Sequence, residues 1–148
     1  PLTLTKDQVK ELLPKIEECR QNVRNQEKKE VDRLKTIRDE AEKVLKDCEK
    51  GSVPTPEFLK KVQEMFTDFY NQRNGVKLAN VIIMYQAMDK ILHDGQKKII
   101  VSTVDRYYEE EVKAWENKTD ELKMQFYALH IFLSDSGYQF LTKLNRNL

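Results

Sequence analysis

The stretch KIEECRQNVRNQEKKEVDRLKTIRDEAEKVLKDCEK, Lys15–Lys50, contains neither glycine nor proline. Within it and just ahead of it, apolar side chains recur at Val9, Leu12, Leu13, Ile16, Cys19, Val23, Val31, Leu34, Ile37, Ala41, Val44, Leu45 and Cys48. Steps of three and four residues put such positions on one stripe of a helix, close to a heptad seam. Upstream, Thr5-Lys6-Asp7-Gln8 reads as a capping box: Thr5 caps, Gln8 reaches back, and Asp7 is favourable in the first turn. Two features disturb the pattern. Pro14 predicts a kink or the end of a short first helix, because it lacks an N–H and crowds the preceding turn. Arg24–Glu30 is almost wholly polar, so the seam fades there and a bend is expected. The reading is one long first helix over about 5–50, ended by Gly51-Ser52-Val53-Pro54-Thr55-Pro56 with Gly51 in a C-terminal cap position. Straight from Lys15 to Lys50 it would measure about 54 Å at about 1.5 Å per residue, which is long for a compact domain of this size.

Outward from this stretch, Thr55-Pro56 predicts an N-cap followed by proline in the first helical position. The second helix carries a stripe of Phe58, Leu59, Val62, Met65, Phe66 and Phe69, and Asn74-Gly75 is expected to close it. A third helix from about Val76 to His93 is apolar on most sides, which points to a central position. Asp94-Gly95 ends it. The fourth runs from about Gln96 to Leu133 along Ile100, Val101, Val104, Tyr108, Val112, Trp115, Leu122, Phe126, Leu129 and Leu133. Ser134–Gly137 breaks the chain before a short last helix with Tyr138, Phe140, Leu141 and Leu144. The β-branched run Ile99-Ile100-Val101 with Thr103-Val104 also fits the start of a strand, but no partner strand is in sight. The expected fold is all-α: a bundle of four to five helices, long, amphipathic and antiparallel, with no sheet, in a single domain over 1–148. All 13 aromatics lie between Phe58 and Phe140. Aromatic rings bring the most buried area per residue. The large-side-chain core is therefore expected over about 56–146, and the first helix is left with an aliphatic seam.

The charge pattern narrows the class of partner. Lys and Arg number 26 against 25 Asp and Glu, and residues 1–50 hold 13 against 12, so the signs cancel locally as well as overall. No basic field is available to condense on phosphates, which argues against nucleic acid. The longest apolar runs, Val81-Ile82-Ile83-Met84 and Ile99-Ile100-Val101, fall far short of the roughly 20 residues a membrane span needs. No secretory apolar segment is present.

Each candidate for chemistry has a plainer counterpart. His93 and His130 are the only histidines, and a di-iron Glu-x-x-His pair is missing because Lys90 and Tyr127 stand three residues before them. His93 falls in the last turn of the third helix, where a protonated ring would suit the dipole. Asp105 and Glu109 share a helical face, but Glu109 with Lys113 at i,i+4 reads as a solvated face. No Gly-x-Ser-x-Gly elbow occurs, and the scattered Gly51, Gly75, Gly95 and Gly137 build no phosphate loop. No catalytic residue, metal site or cofactor is expected, and the chain is read as not an enzyme. Cys19 and Cys48, about 43 Å apart on one helix, are read as free thiols. An intrachain disulfide would need the helix to fold back as a hairpin, and an interchain bond is the remaining alternative. Asn117-Lys118-Thr119 matches a glycosylation sequon, and Trp115 beside it is read as core.

These observations favour a non-enzymatic, protein-binding helical bundle. Its partner would be another protein or a second copy of the chain. Leu34 and Ile37, just beyond the polar stretch, are the expected partner-binding residues of the N-terminal helix. The first alternative is a carrier for a small, fatty-acid-like apolar ligand, with Met84, Met88 and Met124 lining an adaptable cavity. The second is an intracellular coiled-coil adaptor, favoured if both thiols are free. A start at Pro1 rather than Met, together with the sequon at Asn117, tips the expected location towards secreted, with cytoplasmic as the alternative.

Overall fold

Side-chain caps set the helix starts. Thr5 and Gln8 form the predicted box: the Gln8 N–H donates to Thr5 Oγ1 at 3.2 Å and the Thr5 N–H donates to Gln8 Oε1 at 3.0 Å. Thr55 accepts from the Phe58 N–H at 3.2 Å, with Pro56 in the first helical position, where no N–H is missed. The computed structural model describes residues 2–107 and 118–147, and every regular element among them is helical. In chain order these are α1 (Lys6–Thr36), α2 (Arg38–Glu49), α3 (Pro56–Ile91), α4 (Asp94–Tyr107), α5 (Asp120–Tyr127) and α6 (Asp135–Asn147). A single π-helical turn, Ala128–Phe132, continues α5. Ile99–Val104 lies inside α4, so the strand alternative fails.

Several junctions differ from the sequence reading. Pro14 neither ends nor splits α1, which runs through it. The long first helix does break, at Ile37 rather than in the polar stretch. Ile37 adopts φ −106° and ψ 2°, outside the helical well. Just before it, the Thr36 hydroxyl donates to the Arg33 carbonyl at 2.6 Å, an alternative to helix continuation that short hydroxyl side chains offer the backbone. At the far end of α2 the Gly51 N–H bonds the Cys48 carbonyl and the Ser52 N–H bonds the Asp47 carbonyl, with Gly51 at φ +90°. That pairing is the Schellman cap which Gly51 predicts. Asn74-Gly75 does not close a helix, because α3 passes through both. The predicted fourth helix is interrupted before Asp120: Thr119 accepts from the Leu122 N–H at 3.3 Å and starts α5.

The chain divides into two compact units, residues 1–21 with 78–148, and residues 22–77. In the first unit Val9, Leu12, Ile16, Met84, Met88, Ile100, Met124, Ala128, Phe132 and Leu141 form one buried cluster. Its helix ends are tied by a second capping box: the His93 N–H donates to Gln96 Oε1 (3.1 Å) and the Gln96 N–H donates to His93 Nδ1 (3.2 Å). The two boxes interlock. The amides of Gln8 and buried Gln96 bond each other at 2.8 and 2.9 Å, Gln96 Nε2 also reaches the Thr3 carbonyl and Gln8 Nε2 the Ile91 carbonyl. At the opposite end of the unit, the Tyr138 hydroxyl donates to Glu17 and the Arg20 guanidinium stacks 4.4 Å over the Tyr138 ring while pairing with Asp135.

In the second unit, the later part of α1 and α2 pair antiparallel with the earlier part of α3. The register is fixed by Gln26 Nε2 to Gln72 Oε1 (2.9 Å), by Arg73 to Glu30 through Nε at 2.8 and 3.0 Å, by Arg33 to Asp68 (2.9 Å), and by Lys61 to Glu40. Glu30 is only 4% exposed and Gln26 is also buried; the fully buried apolar side chains of this unit are Met65 and Phe69.

Two glycine substitutions test this architecture in opposite directions. A Cβ on Gly75 meets nothing within 4 Å, and Gly inside a helix costs about 0.5–1 kcal/mol relative to Ala, so Gly75→Ala should raise stability by about that amount in urea melts. A turn at Asn74-Gly75 would instead make the change neutral or harmful. A Cβ on Gly137 would stand 1.8 Å from the Ile131 carbonyl oxygen, so Gly137→Ala should destabilise by about 1–3 kcal/mol through forced backbone displacement.

Candidate functional site

A helical pair that buries Gln26 and Glu30 on its inner side has apolar residues left for its outer side. On α1, Gln26, Glu30 and Arg33 reach towards α3. A period of about 100° per residue places Val23 and Leu34 roughly 70° forward of that line. On α2 the half-buried positions are Ala41, Val44 and Cys48, and Leu45 is displaced in the same sense. On α3 the inward positions are Phe58, Val62, Met65 and Phe69, and Leu59, Phe66 and Tyr70 stand roughly 90° forward. Because the pairing is antiparallel, a forward rotation on each helix leads to the same side of the unit. The contact between Arg33 and Asp68 puts Leu34 level with Phe66. Val23, Leu34, Leu45, Leu59, Phe66 and Tyr70 are 39–68% exposed, so they form an apolar strip spanning both sides of the hairpin.

The flank of this strip on α3 is uncharged. Leu59, Gln63, Phe66, Thr67, Tyr70 and Asn74 follow one another along one face, all six are exposed, and Lys60 stands at its margin. In a chain of which 34% is charged, six positions along one exposed helical line without a charge are unusual. Depletion of charge around exposed aromatic rings is the compositional mark of an interface centre.

Sequence reasoning found part of this surface. Leu34 is 39% exposed and belongs to the strip. Ile37 is half-buried at the α1–α2 break, so it is less available than Leu34. Leu59 and Phe66 belong to the stripe expected to face the core, and Tyr70 lies just outside it; the structure exposes them by 53%, 55% and 68%. The signal that could have found them is the uncharged period from 59 to 74.

The other candidates separate. Met84, Met88 and Met124 are at most 5% exposed and sit in the packed core of the first unit. A partly open pocket of about 280 Å³ lies elsewhere in that unit, lined by Leu2, Leu4, Tyr127, Phe132, Phe140 and Leu141 among others. His93 is committed to the cap of α4 rather than to the last turn of α3, and His130 stacks on Phe126 with ring centroids 4.1 Å apart. Among the described residues no group of three or more His, Cys, Asp or Glu could hold a metal ion, and no helix is long and apolar enough to cross a membrane. Asn117, Trp115 and Glu109 lie outside the described residues.

Both cysteines are free. Cys19 is buried, its Sγ facing the Asn80 carbonyl at 3.6 Å while Asn80 Nδ2 donates to the Cys19 carbonyl at 2.9 Å. Burial and the neighbouring Glu18 push its thiol up to about 11. Cys48 is partly exposed. Native protein should therefore take up one equivalent of a thiol reagent, at Cys48. Cys19 should react on the order of a hundredfold more slowly than in denaturant, where both label without reductant. Label appearing only after reduction would contradict two free thiols.

The Glu30–Arg73 pair makes a pH prediction. The hydrogen bond from Arg73 holds the Glu30 carboxyl below its usual range, against the opposing effect of burial. A carboxyl lowered in the folded state adds stability that is complete above its unfolded pKa, about 4.3, and is lost as pH falls through the lower folded value. Melting temperature should fall with acid in that window, and Glu30→Gln should remove this component of the slope. An unchanged slope would show that the pair is energetically silent.

No protein-family model, curated protein or solved structure matches this chain.

Proposed function

We propose that this chain is a non-enzymatic protein-binding protein that recognises its partner through the uncharged apolar strip of residues 22–77. The observation that carries the reading is the exposure of Leu59, Phe66 and Tyr70 on a face without charges, continued across the hairpin by Leu34 and Leu45. Large exposed aromatics set among Asn, Gln and Thr have low conformational entropy to lose and supply both apolar area and hydrogen bonds. Such residues dominate protein recognition energetically. The α1 line inside the same hairpin, Gln26, Glu30 and Arg33, is polar, so it gives the apolar inner line of α3 little apolar cover and the unit gains by being covered.

A second reading, carriage of a small apolar molecule, is favoured by the pocket between the N-terminal segment and α6. Its volume of about 280 Å³ is near the lower end of ligand pockets, about 300 Å³. Its lining contains no charged side chain, so a carboxylate head group would find no cation there. The ligand class it fits is neutral and apolar.

A photoreactive phenylalanine analogue placed at Tyr70 in the native host should give protein adducts on irradiation. The same analogue at Lys29, exposed on the opposite side of α1, should give few. Equal yields at both positions, or none at Tyr70, would overturn the protein-binding reading and leave the apolar pocket as the surviving one.

A further inference from the structure

We infer that the partner of this strip is a second copy of the chain, two hairpins closing face to face into an antiparallel four-helix bundle. The inference rests on the protein-binding reading and names its partner. Three observations on residues 22–77 lead to it.

The first is the width of the strip. It is not confined to one helix, because Leu34 and Leu45 lie on α1 and α2, and Leu59, Phe66 and Tyr70 on α3. A single partner helix would cover one groove. A two-helix face covers both sides, and packing two such faces gives the standard closed arrangement of four helices around a core. The surface that matches a two-helix apolar face most directly is the same face rotated by a two-fold axis.

The second is area. The hairpin is about 35 Å long at about 1.5 Å per residue and about 20 Å across two helices. Its face is therefore roughly 700 Å², close to the approximately 800 Å² each partner contributes to a stable interface. The apolar centre is continuous with this face, and the uncharged Gln63, Thr67, Asn71 and Asn74 supply a hydrogen-bonding rim.

The third is charge. Residues 22–77 carry 13 Lys and Arg against 11 Asp and Glu, so two copies meet without a large field of one sign. The α1–α2 side of the strip carries Glu27, Glu42 and Glu49, with Arg38 paired to Glu42, and the α3 side carries Lys60. A two-fold arrangement can place unlike charges across the rim, and like charges facing one another would have excluded self-association.

Sedimentation equilibrium of the full chain tests this. Wild type should show a concentration-dependent monomer–dimer equilibrium. Phe66→Lys with Tyr70→Lys should abolish it, and Lys29→Glu on the opposite side should leave it intact. Phe66→Ala with Tyr70→Ala, which adds no charge, should raise the dimer dissociation constant on the order of tenfold or more. It serves as the working variant if circular dichroism shows that the lysine pair has unfolded the hairpin. Mixing isotopically heavy and light chains before irradiation at position 70 should yield heavy–light adducts. A wild type that stays monomeric to submillimolar concentration overturns the inference. If position 70 then still yields adducts with another protein, the protein-binding reading survives alone, and if it yields none, both fall. A dimer that persists in both Phe66/Tyr70 variants also overturns the inference, because it must use another surface.

Discussion

The polar pair Glu30–Arg73, with Gln26 and Gln72 beside it, is the constraint on which the second unit depends. A two-helix unit ordinarily buries its most apolar stripe between the helices. Here the inner line of α1 is Gln26, Glu30 and Arg33, which find Gln72, Arg73 and Asp68 on the flanks of the apolar inner line of α3. A buried carboxylate without its guanidinium would be strongly unfavourable, and this fixes the antiparallel register of the two helices. The cost of that specificity is a small apolar interior, Met65 and Phe69. Apolar side chains at the neighbouring helical angles then have no place to go except outward. The exposed strip is a direct consequence of what occupies the inside.

The first unit solves the same problem differently. Its interior is apolar and contiguous, and polar residues are moved to the helix ends. There the two capping boxes, Thr5 with Gln8 and His93 with Gln96, satisfy the free backbone donors of α1 and α4 and then bond one another. Orphan backbone groups at helix termini must find partners when buried, and a shared glutamine pair meets that requirement at two termini together. The extended Thr3 is drawn into the same network through its carbonyl, which brings Leu2 and Leu4 against the core and forms one wall of the pocket. Closeness at the other wall comes from Gly137, whose missing Cβ lets α6 approach the π-helical turn at Ile131. Pocket and caps are thus two outcomes of how this unit closes its helix ends.

Helix identity, the caps at Thr5, Thr55 and Gly51, and the breaks near Gly51–Thr55, Asp94-Gly95 and Ser134–Gly137 were legible in the sequence. All are local: a side chain meets a backbone group within four residues, or a breaker interrupts a 3.6-residue period. The continuity of α3 through Asn74-Gly75 was not legible. Breaker propensity costs only about 1 kcal/mol at a glycine, and the contacts made on both sides of Gly75, by Arg73 with Glu30 and by Asn80 with Cys19, outweigh it. The break at Ile37 was equally hidden, because β-branched residues in a helical pattern carry no stop signal of their own.

Periodicity identified the amphipathic stripes, and the local cancellation of charge was equally visible, because both are properties of residues taken in order. Which stripe faces inward was decided only in the folded chain. Leu34 reads from the sequence as a seam residue, and it is 39% exposed. Leu59 and Phe66 read as part of the core stripe, yet they are exposed, because the line of α3 that turns inward, Phe58, Val62, Met65 and Phe69, is the one facing a helix more than 30 residues away in sequence. That pairing is non-local. A stripe about 90° from the buried line is indistinguishable from it until the opposing helix has docked, and here that docking joins the apolar line Phe58, Val62, Met65 and Phe69 to polar pairs made by Gln26, Glu30 and Arg33.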